Sequence, residues 1–181
     1  LPVEDTKRYQ GQLASAVAYC HKQGVAHRDL KPENIAFDAS GRDIKVLDFG
    51  CAVIADRPRT DVVGSFPFMA PEVFVASSSA VYEPKHVDVW ACAVILLEMM
   101  CGVHQLNRML GWARSTAAAP ERKAELVEYF SDEFAIRRVV QGCFGQAEGE
   151  GDLEALLRGA MEVEPERRWS AAEMAESPWL C

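Results

Sequence analysis

The chain has 181 residues, 49% of them hydrophobic and 25% charged, with a net charge of -8. That balance suits one folded domain with a sizeable core and excludes a disordered segment. The acidic excess argues against a nucleic-acid surface, and the longest apolar run, Val89 to Leu97, is far shorter than the roughly 20 residues a bilayer span needs.

From Glu4 to Gln23, apolar residues at Tyr9, Leu13, Ala16, Val17 and Cys20 predict a helix with one buried stripe, started by Glu4 and Asp5 and ended by Gly24. A loop from Val25 to Asn34 follows. Ile35-Ala36-Phe37 and Ile44-Lys45-Val46-Leu47 are strand candidates, joined by the turn residues Asp38-Ala39-Ser40-Gly41. Residues 48 to 72 show little periodicity and predict a long irregular loop of the kind that carries function. From Asp88 to Met100 the chain is apolar on nearly all sides, which predicts a helix buried in the middle of the domain and closed by Gly102. Glu121 to Val140 has helical character, and Gly142 to Gly151 is a Gly- and Glu-rich loop. Leu153, Leu156, Leu157 and Ala160 mark another helix, and Ser170-Ala171-Ala172-Glu173 has the form of a capping box opening a last short helix before Pro178. The fold class is therefore mainly α, with one small β-hairpin near the start. No repeat or linker divides residues 1–181.

The six cysteines, Cys20, Cys51, Cys92, Cys101, Cys143 and Cys181, form no CxxC pair and no zinc-spaced cluster with histidine. They are expected to be free thiols in a reduced, intracellular protein, cytoplasmic or nuclear. The first residues, Leu1-Pro2-Val3-Glu4-Asp5, do not read as a signal peptide, and a start without Met leaves open whether the chain is a fragment or a true truncation.

The chemistry concentrates in His27-Arg28-Asp29-Leu30-Lys31-Pro32-Glu33-Asn34, followed by Asp48-Phe49-Gly50 and later by Ala70-Pro71-Glu72. This order and spacing resemble the protein-kinase signature set. The resemblance implies a kinase-like C-terminal lobe, with a catalytic loop at 27–34, an activation segment at 48–72 and the buried central helix at about 88–101. It implies transfer of the γ-phosphoryl group of ATP, with Mg²⁺, to a protein substrate. Asp29 would orient the substrate hydroxyl and accept its proton, and Lys31 would offset developing charge on the phosphoryl group. Asn34 and Asp48 would hold Mg²⁺ as oxygen ligands. Lys31, two residues after Asp29, resembles the serine/threonine rather than the tyrosine class. Ser65 in Gly64-Ser65-Phe66-Pro67-Phe68-Met69 stands where a Thr commonly contacts Asp29 and Lys31, though a turn residue after Gly64 is the plainer reading. Arg28 implies control by a negative charge on the activation segment. Either Asp61 substitutes for a phosphate or Thr60 is the modified residue, the plain alternative being two solvated polar loop residues. His27 and Phe49 would pack together, Asp88 would accept hydrogen bonds from the catalytic-loop backbone, and Glu72 would pair with Arg168.

The resemblance covers nearly the whole chain but only one lobe of the family. The upper lobe, with its Gly-rich loop, strand Lys and helix Glu, is expected upstream of residue 1. Without it the 181 residues are expected to transfer phosphate weakly or not at all, and a truncated binding or scaffold module is the alternative. Ala36 takes the place of a larger residue at the adenine floor, Ala93 that of a frequent Gly, and Val103-His104-Gln105-Leu106 that of the usual Pro-Phe. Glu33 and the acidic balance point to basic residues around the target Ser or Thr.

Overall fold

The computed structural model describes residues 1–76, 79–113, 119–144 and 149–181. Helix α1, Val3–Lys22, starts with Glu4 and Asp5 in its first turn, and the chain leaves it through Gly24 at φ 76°. Its buried stripe is Thr6, Gln10, Leu13, Ala14 and Val17, whereas Tyr9, Ala16 and Cys20 are only partly covered. The stripe includes two polar residues, each of which donates to a backbone carbonyl, although Gln10 Oε1 is buried without a partner. Thr6 donates to the Pro2 carbonyl at 3.0 Å, and Gln10 donates to the Cys92 carbonyl at 3.2 Å.

The expected loop at 25–34 is more ordered than its sequence suggests. Strand β1, Val25–Ala26, leads into the catalytic-loop sequence, and Pro32–Asn34 form a 3-10 turn. Strands β2, Ile35–Phe37, and β3, Ile44–Val46, make the expected antiparallel hairpin, with Ile35 opposite Val46 and Phe37 opposite Ile44. Its turn is organised by Asp38, which accepts from Ser40 Oγ and from the Arg42 and Asp43 backbone N–H groups. Within the long loop of 48–72, Phe49–Cys51 form a 3-10 turn. Strand β4, Val53–Ile54, pairs antiparallel with β1. Strands of two residues have no periodicity to read; only the partner, 28 positions away, defines them.

Helix α2, Pro84–Cys101, begins a turn before Asp88, with Pro84 at its first position, and buries every residue from Val87 to Leu97. It packs against α1 and anchors the core, where Leu13, Trp90, Leu96 and Leu97 are closed to solvent. Helix α3, Gln105–Met109, follows. The single helix expected over Glu121–Val140 is instead two, α4, Pro120–Phe130, and α5, Ala135–Phe144. The break falls at Ser131-Asp132, whose side chains bond backbone groups and compete with the helix. Ser131 donates to the Val127 carbonyl and Asp132 accepts from Phe134 N–H. Helix α5 continues through Gly142 and Cys143, which were expected in a loop; the loop's residues 145–148 lie outside the described residues.

Helix α6, Glu150–Ala160, carries the expected Leu153, Leu156, Leu157 and Ala160 to the core. Helix α7, Ala171–Ala175, opens on the complete capping box of Ser170 and Glu173. One expectation is overturned. Cys101, at the end of α2, and Cys143, at the end of α5, form a disulfide, with Cα atoms 5.5 Å apart. The two stand 42 residues apart in sequence, so only the packing of the helix ends reveals the pair. Cys20, Cys51, Cys92 and Cys181 are free. Among the described residues no helix is long and apolar enough to cross a membrane.

Candidate active site

The catalytic-loop sequence is held from below by one carboxylate. Asp88, on α2 and 1% exposed, accepts from the backbone N–H of His27 at 2.8 Å and of Arg28 at 2.7 Å. His21, at the end of α1, places Nε2 2.8 Å from the same carboxylate. A buried charge with three donors is satisfied in a way that an unpartnered one is not. His21 had no signal in sequence beyond its place near a helix end.

The loop leaves this anchor through Arg28 at φ 67°, and Asp48 adopts φ 55°. Left-handed backbone at two non-glycine residues is strained, and surrounding bonds must hold it. His27 supplies some of them. Its Nδ1 accepts from Asp29 N–H, and its Nε2 therefore donates to the Leu47 carbonyl at 2.9 Å. With both ring nitrogens engaged and its ring 4.8 Å from that of Phe49, His27 is a joint between residues 27–34 and the Asp48-Phe49-Gly50 turn. A second joint runs from Leu47 N–H to the Asn34 carbonyl at 2.8 Å.

Around Asp29 the side chains converge. Lys31 Nζ donates to Asp29 Oδ2 at 2.8 Å and to Ser65 Oγ at 2.7 Å. Asn34 Nδ2 donates to the Asp29 carbonyl at 2.8 Å, which fixes the amide's orientation and leaves its Oδ1 as the free end. Asp29 Oδ1 is buried and has no hydrogen-bond partner. A buried carboxylate oxygen left open in this way is the acceptor most ready for an incoming donor. The hydrogen bond to Asp29, against the opposing effect of burial, raises the Lys31 ammonium above its ordinary pKa; the charges of Glu33 and Asp48 act in the same direction. Asp48 is exposed, and its side chain caps the turn it starts by accepting from Gly50 N–H at 3.1 Å.

Among the described residues no three His, Cys, Asp or Glu side chains gather into a metal cage. Asn34 and Asp48 carry oxygen donors of the kind a hard cation such as Mg²⁺ takes. Ala36 lies on β2 opposite Lys45, partly buried.

The long loop of 48–72 is tied down at both ends. Ser65 takes part in a turn and also meets Lys31: its carbonyl accepts from Phe68 and Met69 N–H, and its hydroxyl accepts from Lys31 Nζ. Gly64, at φ 123°, passes so close to the catalytic loop that a Cβ there would stand 3.0 Å from the Arg28 carbonyl. Downstream, Glu72 and Arg168 form a buried two-pronged pair at 2.6 and 2.9 Å. Upstream, Arg28 Nη1 donates to Asp61 Oδ2 at 2.7 Å, with Arg59 Nε 3.5 Å from Oδ1. Burial pushes the Asp61 carboxyl up, but the Arg28 hydrogen bond and the charges of Arg28 and Arg59 outweigh it and hold it below its usual range. Thr60 beside it is exposed. Tyr82, which sequence reasoning did not single out, joins this group through its hydroxyl 3.1 Å from Arg28 Nη1.

The chain is 43% identical over 188 residues to the CBL-interacting serine/threonine-protein kinase 18 of Arabidopsis thaliana, covering 99% of this chain and 31% of the relative. It is 36% identical over 187 residues to the putative CBL-interacting protein kinase 13 of Oryza sativa subsp. japonica, covering 99% and 32%. With the CBL-interacting serine/threonine-protein kinase 12 of Arabidopsis thaliana it shares 33% over 188 residues, covering 99% and 33%. The chain thus spans about a third of the length of the curated relatives it matches. The model of the protein kinase domain matches residues 1–180, and the chain belongs to that family.

Proposed function

We propose that these residues are the C-terminal lobe of a serine/threonine protein kinase, which passes the γ-phosphoryl group of ATP to a Ser or Thr hydroxyl of a protein. The observation that carries this reading is the Asp29–Lys31–Ser65 cluster, in which Lys31 bridges the other two while Asp29 Oδ1 stays unpartnered. Asp29 Oδ1 would accept the hydrogen bond of the substrate hydroxyl and take its proton as the new P–O bond forms. Lys31 would offset the negative charge on the phosphoryl oxygens, and its tie to Ser65 would hold it in place. Asn34 and Asp48 would hold Mg²⁺, whose contribution is to neutralise phosphate charge.

The lobe assignment draws support from exposed apolar side chains. Phe37, Leu47 and Phe49 are 56%, 44% and 46% exposed on or beside the β2–β3 hairpin and the Asp48 turn, a face suited to a second lobe over the nucleotide. Asp61 in its bond to Arg28 would do the work of a phosphate on the activation segment. Glu33, exposed next to Pro32, would favour basic residues near the target.

The test is Mg-ATP-dependent phosphorylation of a basic Ser/Thr peptide by the longest natural product of the gene. Asp29→Asn and Asp48→Asn are each expected to lower kcat by a hundredfold or more with the fold intact, on the scale of lost positioning and charge stabilisation. Transfer that survives both substitutions overturns the site. Robust transfer by residues 1–181 alone overturns the lobe assignment. A longer product that binds proteins but transfers nothing would favour a scaffold.

A further inference from the structure

We propose that Tyr82 latches the activation segment to the catalytic loop, as a positioning residue that needs no phosphate. Tyr82 is 3% exposed and lies just before α2. Its main chain forms an isolated antiparallel bridge with Arg59, with Arg59 N–H donating to the Tyr82 carbonyl at 2.8 Å and Tyr82 N–H to the Arg59 carbonyl at 2.9 Å. Its hydroxyl accepts from Arg28 Nη1 at 3.1 Å and donates to the Asp61 carbonyl at 2.9 Å. One side chain thus touches both partners of the Arg28–Asp61 ion pair.

The topology gives these bonds their meaning. An ion pair between Arg28 and Asp61 alone would hold the segment by one partly exposed carboxylate, 42% exposed, and such pairs are weak. The bridge and the hydroxyl add three bonds between residues 59–61 and residue 82. From Tyr82 the chain enters α2 directly, and Asp88 of α2 holds the Arg28 backbone. The circuit closes on itself: Arg28 to Tyr82, along α2 to Asp88, and back to the Arg28 N–H. It fixes the left-handed turn at Arg28 immediately before Asp29. The Arg28 side chain is 5% exposed and also donates through Nε to the Cys51 carbonyl at 2.8 Å, so its direction is set on three sides. Burial pushes the Tyr82 phenol up, against the pull of Arg28, so it keeps the proton it gives to Asp61.

Tyr82→Phe removes the hydroxyl and keeps the ring. Amide hydrogen exchange across residues 52–63, and tryptic cleavage after Arg59, are expected to quicken roughly tenfold, the scale of one buried hydrogen bond. Exchange elsewhere should hardly change. In the wild-type protein the Arg59 and Tyr82 amides are expected to be protected, with the same protection after phosphatase treatment. The activity arm rests on the kinase reading above. In the longest gene product kcat should fall about tenfold with KM for ATP unchanged, a split that general loss of fold would not give.

Unprotected Arg59 and Tyr82 amides in the wild type, a segment released by phosphatase, or unchanged exchange in Tyr82→Phe would each overturn the latch. A wild-type protein that transfers no phosphate would remove the kinase reading, and the exchange measurements would still decide the latch.

Discussion

Two regions of the molecule are built on different rules. The face formed by residues 27–34, 48–72 and the start of α2 is held by polar groups with named partners: Asp88 under three donors, Arg168 against Glu72, Lys31 between Asp29 and Ser65. The body formed by α4, α5 and α6 is held by apolar side chains such as Leu126, Ile136, Val140, Leu153 and Leu156. Ion pairs decorate its surface, among them Arg137–Glu154 and Arg138–Asp132. The first region depends on residue identity at single positions, the second on residue class spread over many. Removing one partner should therefore be costly in the first and cheap on the surface of the second.

The largest expected effect tests that contrast directly. Glu72→Ala leaves the Arg168 side chain, 0% exposed, as an uncompensated buried charge, at a cost of about 3–5 kcal/mol. Arg168→Ala should cost a similar amount, because Arg168 also donates to the carbonyls of Glu162 and His86. Arg137→Ala removes a half-exposed side chain from Glu154, which is itself 12% exposed but keeps its bond to Arg158, and should cost about 1 kcal/mol or less. Denaturant unfolding of the three variants and of the Glu72→Ala/Arg168→Ala double mutant measures the difference. Equal costs for Glu72 and Arg137, or no coupling in the double mutant, would erase the distinction.

The next effect sharpens it, because one position in the body also depends on identity. Gly159 lies inside α6, where Ala is favoured over Gly by about 1 kcal/mol. A Cβ there would overlap the Trp169 ring, whose backbone N–H donates to the Gly159 carbonyl at 3.0 Å. Gly159→Ala should thus destabilise by about 1–3 kcal/mol, against helix propensity. A raised melting temperature would mean that Trp169 moves aside easily and that the body follows class alone.

The same contrast explains what was legible in the sequence. The residues of 27–34 could be picked out because they stand in one contiguous run, and the structure brings Asp29, Lys31, Asn34 and Ser65 within hydrogen-bond reach of one another or of a shared partner. The buried helix was legible because a stretch apolar on all sides has few alternatives. Tyr82 and His21 were not, since each matters only through partners 21 or more positions away. The division of 121–140 into α4 and α5 was hidden because Ser131 and Asp132 are polar enough for an exposed helix face, and only their bonds to the backbone show the break. The Cys101–Cys143 disulfide was hidden for the same reason as the β1–β4 pairing: distant residues meet by packing rather than by pattern.

The smallest effect lies on the border between the two rules. His86 stands in the first turn of α2, and its carbonyl accepts from Arg168. Burial, and then the Arg168 charge, lower its pKa from 6.5, against the opposing pull of Glu72, Glu83 and Glu166, and its Nδ1 is buried without a partner. The fold therefore favours the uncharged imidazole. Well above pH 6.5 folded and unfolded chains carry the same proton count at this residue, and it contributes nothing. As the pH falls through 6.5 the unfolded chain takes up the proton first, so stability is lost until the pH passes below the folded pKa. His86→Gln should remove this part of the slope between pH 7.5 and 5.5 and leave the part due to other groups. Parallel melting curves for the two proteins over that range would show that the imidazole turns to water at little cost, and that the strict accounting of the polar face stops at Arg168.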